Sequence, residues 1–166
     1  MGLVKMLIPD RMAESVYTMD FKKEYDRGIR GIIFDIDNTL VPHGYPADER
    51  AKDLFEELKR CGIKGCIVSN NHEKRVRPFA EALGAFYVFD AGKPKKAGYL
   101  SGMKEMGTGL SDTLVIGDQL ITDILGAKRL KVESVCVRPI DLSTDPPFVK
   151  FKRILEKIVF RLRKEK

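Results

Sequence analysis

The chain has 166 residues, of which 43% are hydrophobic and 33% charged, with a formal net charge of +6. That is enough for one domain with a full core, and it lacks the apolar poverty of a disordered segment. No apolar run reaches the roughly 18 residues of a membrane-spanning helix. The opening Met1–Asp10 segment is too briefly apolar, and without a small-residue cleavage site, to be a secretion signal; a cytoplasmic location is expected.

The charge is unevenly placed. Residues 150–166 carry eight Lys/Arg and two Glu, which is +6, whereas residues 1–149 carry 22 of each sign, which is zero. The basic character belongs to the tail, and no specific nucleic-acid partner is expected of the body. Cys61, Cys66 and Cys136 are an odd set, and with two histidines in the chain they give poor material for zinc.

Taken in chain order, Gly31–Ile36 reads as a buried strand. Residues 48–60 read as a helix with Ala51, Leu54, Phe55 and Leu58 on one face and Gly62 as its stop. Gly65–Ser69 is a second strand. Residues 72–83 form a helix ending at Gly84, with Val76, Phe79, Ala80 and Leu83 inward; Pro78 predicts a start near itself. Ala85–Phe89 is a third strand and 95–106 a helix. Thr113–Gly117 is a fourth strand, 120–130 a helix, and Ser134–Arg138 a fifth strand. This alternation predicts an α/β fold, a Rossmann-like three-layer sandwich around a mostly parallel five-stranded sheet. Ligands bind such sheets beyond the carboxyl ends of the strands.

Polar residues cluster at those ends: Asp35 and Asp37 after the first strand, Ser69-Asn70-Asn71 after the second, Lys93 after the third, and Gly117-Asp118 after the fourth. Carboxylates at i and i+2 of a strand share a side and repel unless a cation lies between them. A hard divalent ion with oxygen ligands, Mg2+, is the expected cofactor. Phosphoryl transfer needs these groups. Asp35 fits the nucleophile that forms an aspartyl-phosphate, and Asp37 the general acid. Asp118 completes a metal site with Asp35. The Ser69 hydroxyl and the Asn70 backbone N–H suit phosphate oxygens, and Lys93 supplies fixed positive charge. Asp123 supports the metal or pins Lys93. No Gly-x4-Gly-Lys-Ser/Thr run is present, so a P-loop nucleotide site is not expected.

This ordered set resembles the haloacid dehalogenase superfamily of phosphohydrolases. Asp35-Ile36-Asp37-Asn38-Thr39 matches D-x-D-x-T, Ser69 the second motif, Lys93-Pro94 the third, and Gly117-Asp118 through Asp123 the fourth. Pro94 favours Lys93 over Lys95 or Lys96. The resemblance implies that Asp37 also ligates metal through its backbone carbonyl, and that a glycine is common where Asn38 stands. Only 31 residues (38–68) and 23 residues (70–92) separate the first three motifs, each span filled by a helix and a strand, so no cap domain is expected. Within the superfamily the chain resembles the small capless YqeG-like group of subclass IIIA, itself similar to phosphatidylglycerophosphate phosphatases. The implied substrate is a phosphate monoester, with a lipid headgroup as the finer expectation.

Residues 1–147 are expected to form the catalytic unit, and 148–166 a basic amphipathic helix of the same domain. Phe148, Phe151, Leu155, Ile158, Val159 and Leu162 fall on one face, and Lys150, Arg153, Lys157, Arg161 and Lys164 on the other. Such a helix either docks on the core with its basic face in water or lies at an anionic membrane as a peripheral contact. The rival expectation is a scaffold of the same fold whose tail docks on membrane or RNA. His43, in the loop Pro42–Pro46, stands near the site.

Overall fold

The computed structural model describes residues 2–164, without the side chains of Leu3, Val159, Phe160, Leu162, Arg163 and Lys164. The tail-face assignments of Val159, Leu162 and Lys164 therefore lie outside the described residues. In chain order the elements are α1 (Leu3–Met6), β1 (Arg11–Ala13), α2 (Phe21–Asp26), β2 (Gly31–Phe34), α3 (Glu49–Cys61), β3 (Lys64–Val68), α4 (Glu73–Leu83), β4 (Phe86–Val88), α5 (Lys96–Met106), β5 (Thr113–Gly117), α6 (Leu125–Leu130), β6 (Glu133–Val137) and α7 (Pro147–Lys164). A π-helical turn, Leu120–Ile124, leads into α6.

The sheet has six strands in the order β1-β6-β5-β2-β3-β4, every pairing parallel. The sixth is β1, which the sequence reading did not anticipate. Arg-Met-Ala carries no apolar run, and one face of an edge strand meets water. Non-local contacts hold it: it pairs with β6, and the Asp10 carboxylate just before it accepts from the Ser134 N–H and hydroxyl, both at 2.9 Å.

Side chains alternate across the strands as the pleat requires. Ile32 and Phe34 of β2, with Ile67, Leu114 and Ile116, pack against α3 and α4 through Leu54, Phe55, Leu58, Val76, Phe79 and Leu83. Ile33, Cys66, Val68 and Val115 face the other way, onto Tyr99, Met103 and Met106 of α5 and Ala127 and Leu130 of α6. This is the expected three-layer α/β sandwich. Asp48 caps α3 by accepting from the Ala51 N–H at 2.9 Å, and Gly62 ends it at φ 83°, in the left-handed region. Helix α4 begins at Glu73 and runs through Pro78 rather than starting there. Pro78 is on the exposed face, where water can satisfy the carbonyl left without its N–H partner, and Val76 and Phe79 bury the other side.

The chain winds from β2 outward through β3 to β4, then returns to β5 on the opposite side of β2. The β2/β5 boundary is therefore the switch point of the sheet. Among the described residues the connections β2–β3 and β3–β4 hold α3 and α4, with no further domain.

Leu58 is fully buried against the sheet, so Leu58→Ala should lower unfolding stability by about 2–5 kcal/mol, read as a reduced urea midpoint at unchanged m-value.

Candidate active site

Strand β2 ends at Phe34, so Asp35 and Asp37 lie just past it rather than within it. Asp35, Asp37, Ser69, Asn70 and Lys93 converge on one cavity of about 240 Å3, with His43, Asn71, Gln119 and residues of α7 in its wall.

The centre is a buried charge cluster. Oxygens of Asp35, Asp118 and Asp123 lie within 4.8 Å of one another. The Lys93 ammonium sits between two of them, 3.0 Å from Asp35 Oδ1 and 2.7 Å from Asp123 Oδ1. Lys95 and Lys96 are exposed on the surface. Asn70 fixes Lys93 in place: its side-chain amide accepts from the Lys93 N–H at 2.7 Å and donates to the Lys93 carbonyl at 3.1 Å. Burial pushes Asp35 up to about 6; Lys93 pulls against this, and the Asp123 and Asp37 charges reinforce it. Asp118 is raised well above the usual carboxylate range by burial and by Asp35 and Asp123, with Arg153 opposing. Burial works against the Lys93 charge, but Asp123 and Asp35 outweigh it and the net direction is up.

The geometry of the fourth motif follows from Gly117 and the π turn. A Cβ on Gly117 would meet the Asp123 carboxyl carbon at 2.3 Å, so only glycine leaves room for that side chain. The wide turn carries Asp123 back over the strand end, where it accepts from the Gln119 N–H at 3.2 Å.

Asp37 turns away from the cluster. Its Oδ1 accepts from the Gly44 N–H and from Arg75 Nη2, each at 2.9 Å, and its Oδ2 from the Asn71 amide at 2.8 Å. His43 Nδ1 stands 3.7 Å from the same carboxylate. Burial raises Asp37, yet the Gly44, Arg75 and Asn71 donors outweigh it and hold the group below its ordinary value. The Ser69 hydroxyl accepts from the Asn71 N–H and side-chain amide at 3.1 and 3.0 Å.

Helix α7 completes the cluster with a residue that the sequence reading set in water. Arg153 Nη2 donates to Asp118 Oδ2 at 2.6 Å, and its Nε donates to Asp145 Oδ2 at 2.5 Å. Thr39 Oγ1 holds the other Asp118 oxygen at 3.1 Å. Glu156 accepts from the Leu120 N–H at 2.6 Å. The helix is thus seated on the core through Arg153 and Glu156, while Phe148, Phe151, Ile154, Leu155 and Ile158 stay exposed. The expected docking, apolar face inward and Arg153 outward, is reversed. Two buried carboxylates needing a counter-charge decide the orientation over the apolar stripe.

Asn38, where the superfamily commonly has glycine, adopts φ 62°, the left-handed region that asparagine tolerates best after glycine. Its amide donates to Asp145 at 2.5 Å and accepts from the Asp141 N–H at 2.9 Å. An Asn38–Asp145–Arg153–Asp118 chain therefore links the first motif to α7. Sequence reasoning missed Arg75, Asp145, Arg153 and Glu156. The asparagine at a glycine position was the one available hint, and nothing marked the others.

The donor set suits a hard cation: three buried carboxylates with oxygens within 4.8 Å of one another, and in the same cavity wall Gln119, whose buried Oε1 has no hydrogen-bond partner.

Residues 43–131 match the model of the haloacid dehalogenase-like hydrolase family, a span that includes Ser69, Lys93, Asp118 and Asp123. A Bacillus subtilis protein named "Probable phosphatase YqeG" is 38% identical over 99% of this chain and 95% of its own length. The chain belongs to the haloacid dehalogenase-like hydrolases. A chloroplastic phosphatidylglycerophosphate phosphatase 1 of Chlamydomonas reinhardtii is 24% identical, and this chain spans 61% of its length. The Arabidopsis thaliana chloroplastic/mitochondrial counterpart is also 24% identical, with 47% of its length spanned. In fold, the chain is similar to an uncharacterised Corynebacterium glutamicum protein (TM-score 0.55, 18% identity, 80% and 93% of the two chains). It is similar too to the cobalt-bound deoxy-D-mannose-octulosonate 8-phosphate phosphatase of Haemophilus influenzae (TM-score 0.54, 16% identity, 84% and 90%).

Arg153→Ala would leave the buried Asp118 and Asp145 without the guanidinium that binds both. In EDTA it should lower unfolding stability by about 3 kcal/mol, and added Mg2+ should recover part of that loss in a thermal melt.

Proposed function

We propose that the protein is a divalent-metal phosphatase that hydrolyses a phosphate monoester through an aspartyl-phosphate on Asp35. The observation that carries this reading is the buried Lys93 ammonium held between Asp35 and Asp123 in the wall of the cavity. A lone nucleophilic carboxylate would repel a phosphate dianion; one paired with a buried cation does not.

Asp35 and Asp118 are the side chains assigned to the metal, with the Asp37 backbone carbonyl, and Asp123 supports them. Mg2+ matches their oxygen chemistry, and when bound it neutralises phosphate charge. Asp35 attacks phosphorus in line, and the leaving alkoxide departs on the opposite side. Lys93 keeps the Asp35 oxygen oriented and offsets the incoming charge. Ser69 and the Asn70 N–H hold the non-bridging oxygens. Asp37 donates a proton to the leaving oxygen, then takes one from the water that cleaves the acyl phosphate. Arg75, Asn71 and Gly44 keep Asp37 ionised in the free site. An arriving dianion raises its proton affinity by like-charge repulsion, which lets it load the proton it later gives.

The substrate class we favour is a lipid phosphate monoester such as phosphatidylglycerophosphate. The similarity to the two phosphatidylglycerophosphate phosphatases supports it. So does the pocket wall, where Pro146, Phe148 and Val149 give apolar surface beside the cationic Lys152. Among the described residues no helix is long and apolar enough to cross a membrane.

Asp35→Asn should reduce turnover of every accepted monoester by at least about a thousandfold and abolish acid-quenched labelling of the protein from a 32P-monoester. Labelling that survives the substitution would move the nucleophile elsewhere. Chelation by EDTA should stop turnover, and Mg2+ should restore it.

A further inference from the structure

Helix α7 leaves a continuous apolar surface uncovered. Phe148 and Phe151 keep 67% and 61% of their surface, and Ile154, Leu155 and Ile158 are also exposed. At 3.6 residues per turn these five positions span an arc of about 120°. Exposed apolar groups of this size on one arc mark a contact surface. Lys150, Lys157 and Arg161 are exposed along one flank of the arc. On the other flank lies Lys152, its ammonium 4.3 Å from the centre of the Phe148 ring. The opposite side of the helix is already committed, with Arg153 bound to Asp118 and Asp145 and Glu156 bound to the Leu120 N–H. The apolar arc therefore cannot turn inward without breaking the seat on the cluster.

We propose that this face of α7 is the surface on which the protein docks to an anionic lipid bilayer, with the pocket mouth held at the headgroup level. Charge selects the occupant. A second copy would bring its own basic flank against this one, and like charges at a dry interface repel. An anionic bilayer instead accepts the apolar arc among its acyl chains and the lysines and arginine among its headgroups. Continuity with the pocket gives the second argument. Phe148, Val149 and Lys152 line both the cavity and the start of the helix, so a lipid phosphate at the surface enters beside the face that binds the bilayer. The inference deepens the lipid-monoester reading above and rests on it for its purpose, while the docking itself is measured without turnover.

The test is sedimentation with vesicles of phosphatidylglycerol mixed into phosphatidylcholine, against vesicles of phosphatidylcholine alone. The probe variant is Phe151→Glu/Ile154→Glu, both positions exposed and neither in the pocket wall. The wild type should sediment with the anionic vesicles and less with the neutral ones. The variant should bind the anionic vesicles at least about tenfold more weakly, while keeping its circular dichroism and its turnover of a soluble monoester. A wild type that stays in the supernatant overturns the proposal, as does a variant that binds equally well. So does a dimer in sedimentation velocity that the variant loses without any vesicle binding, because the face then belongs to a second copy. Vesicle binding with no hydrolysis of any monoester would sink the proposed function and leave the docking surface standing.

Discussion

Three carboxylates buried together drive one another toward protonation, and the structure sets two cations against that. Lys93 offsets Asp35 and Asp123 from one side, and Arg153 offsets Asp118 from the other. Each cation is itself immobilised. Asn70 clamps the Lys93 backbone in both directions, and Asp145 holds the second edge of the Arg153 guanidinium. The site is thereby organised before any ligand arrives, so that little rearrangement is needed when charge develops.

The fold makes this economical. A sheet that winds outward on both sides of one strand brings the ends of β2 and β5 side by side, and Asp35 and Asp118 arrive on adjacent strands without a long loop. Gly117 and the π turn add Asp123, because the wide turn swings a carboxylate over a residue without a side chain. The same strand ends place Ser69 opposite, and Asp37 turns outward to Arg75 and Asn71. One cluster thus separates into an end where buried acids outnumber the two cations set against them and an end where Asp37 is surrounded by donors.

Much of this was legible in the sequence. Five strands and their crossing helices follow from apolar runs and glycine stops, and the polar residues at strand ends mark one rim of the sheet. What stayed hidden is non-local. Strand β1 is three residues without an apolar pattern, and only its partner defines it. Pro78 sits inside a helix because its exposed side tolerates a missing donor. The tail shows the limit most clearly. Its periodicity correctly separates apolar from basic residues, yet it cannot tell which side meets the core, since that depends on Asp118 and Asp145 lying beneath Arg153. A helical wheel sees the helix's own faces and not the charge it lands on.

Contacts between distant parts of the chain close both ends of the sheet, at the amino ends of β1 and β6 and beyond the carboxyl end of β5. Asp10 bonds to Ser134, 124 positions on, and Arg153 reaches back to Asp118. A ribosome would release the β2–β3–β4 half long before either closure is possible. Strand β1 would wait for its partner until β6 emerges, and Asp118 and Asp145 would wait for Arg153 until α7 does. Completion of the charge cluster is thus tied to the making of α7, and a chain cut short before that helix would carry Asp118 and Asp145 without their guanidinium.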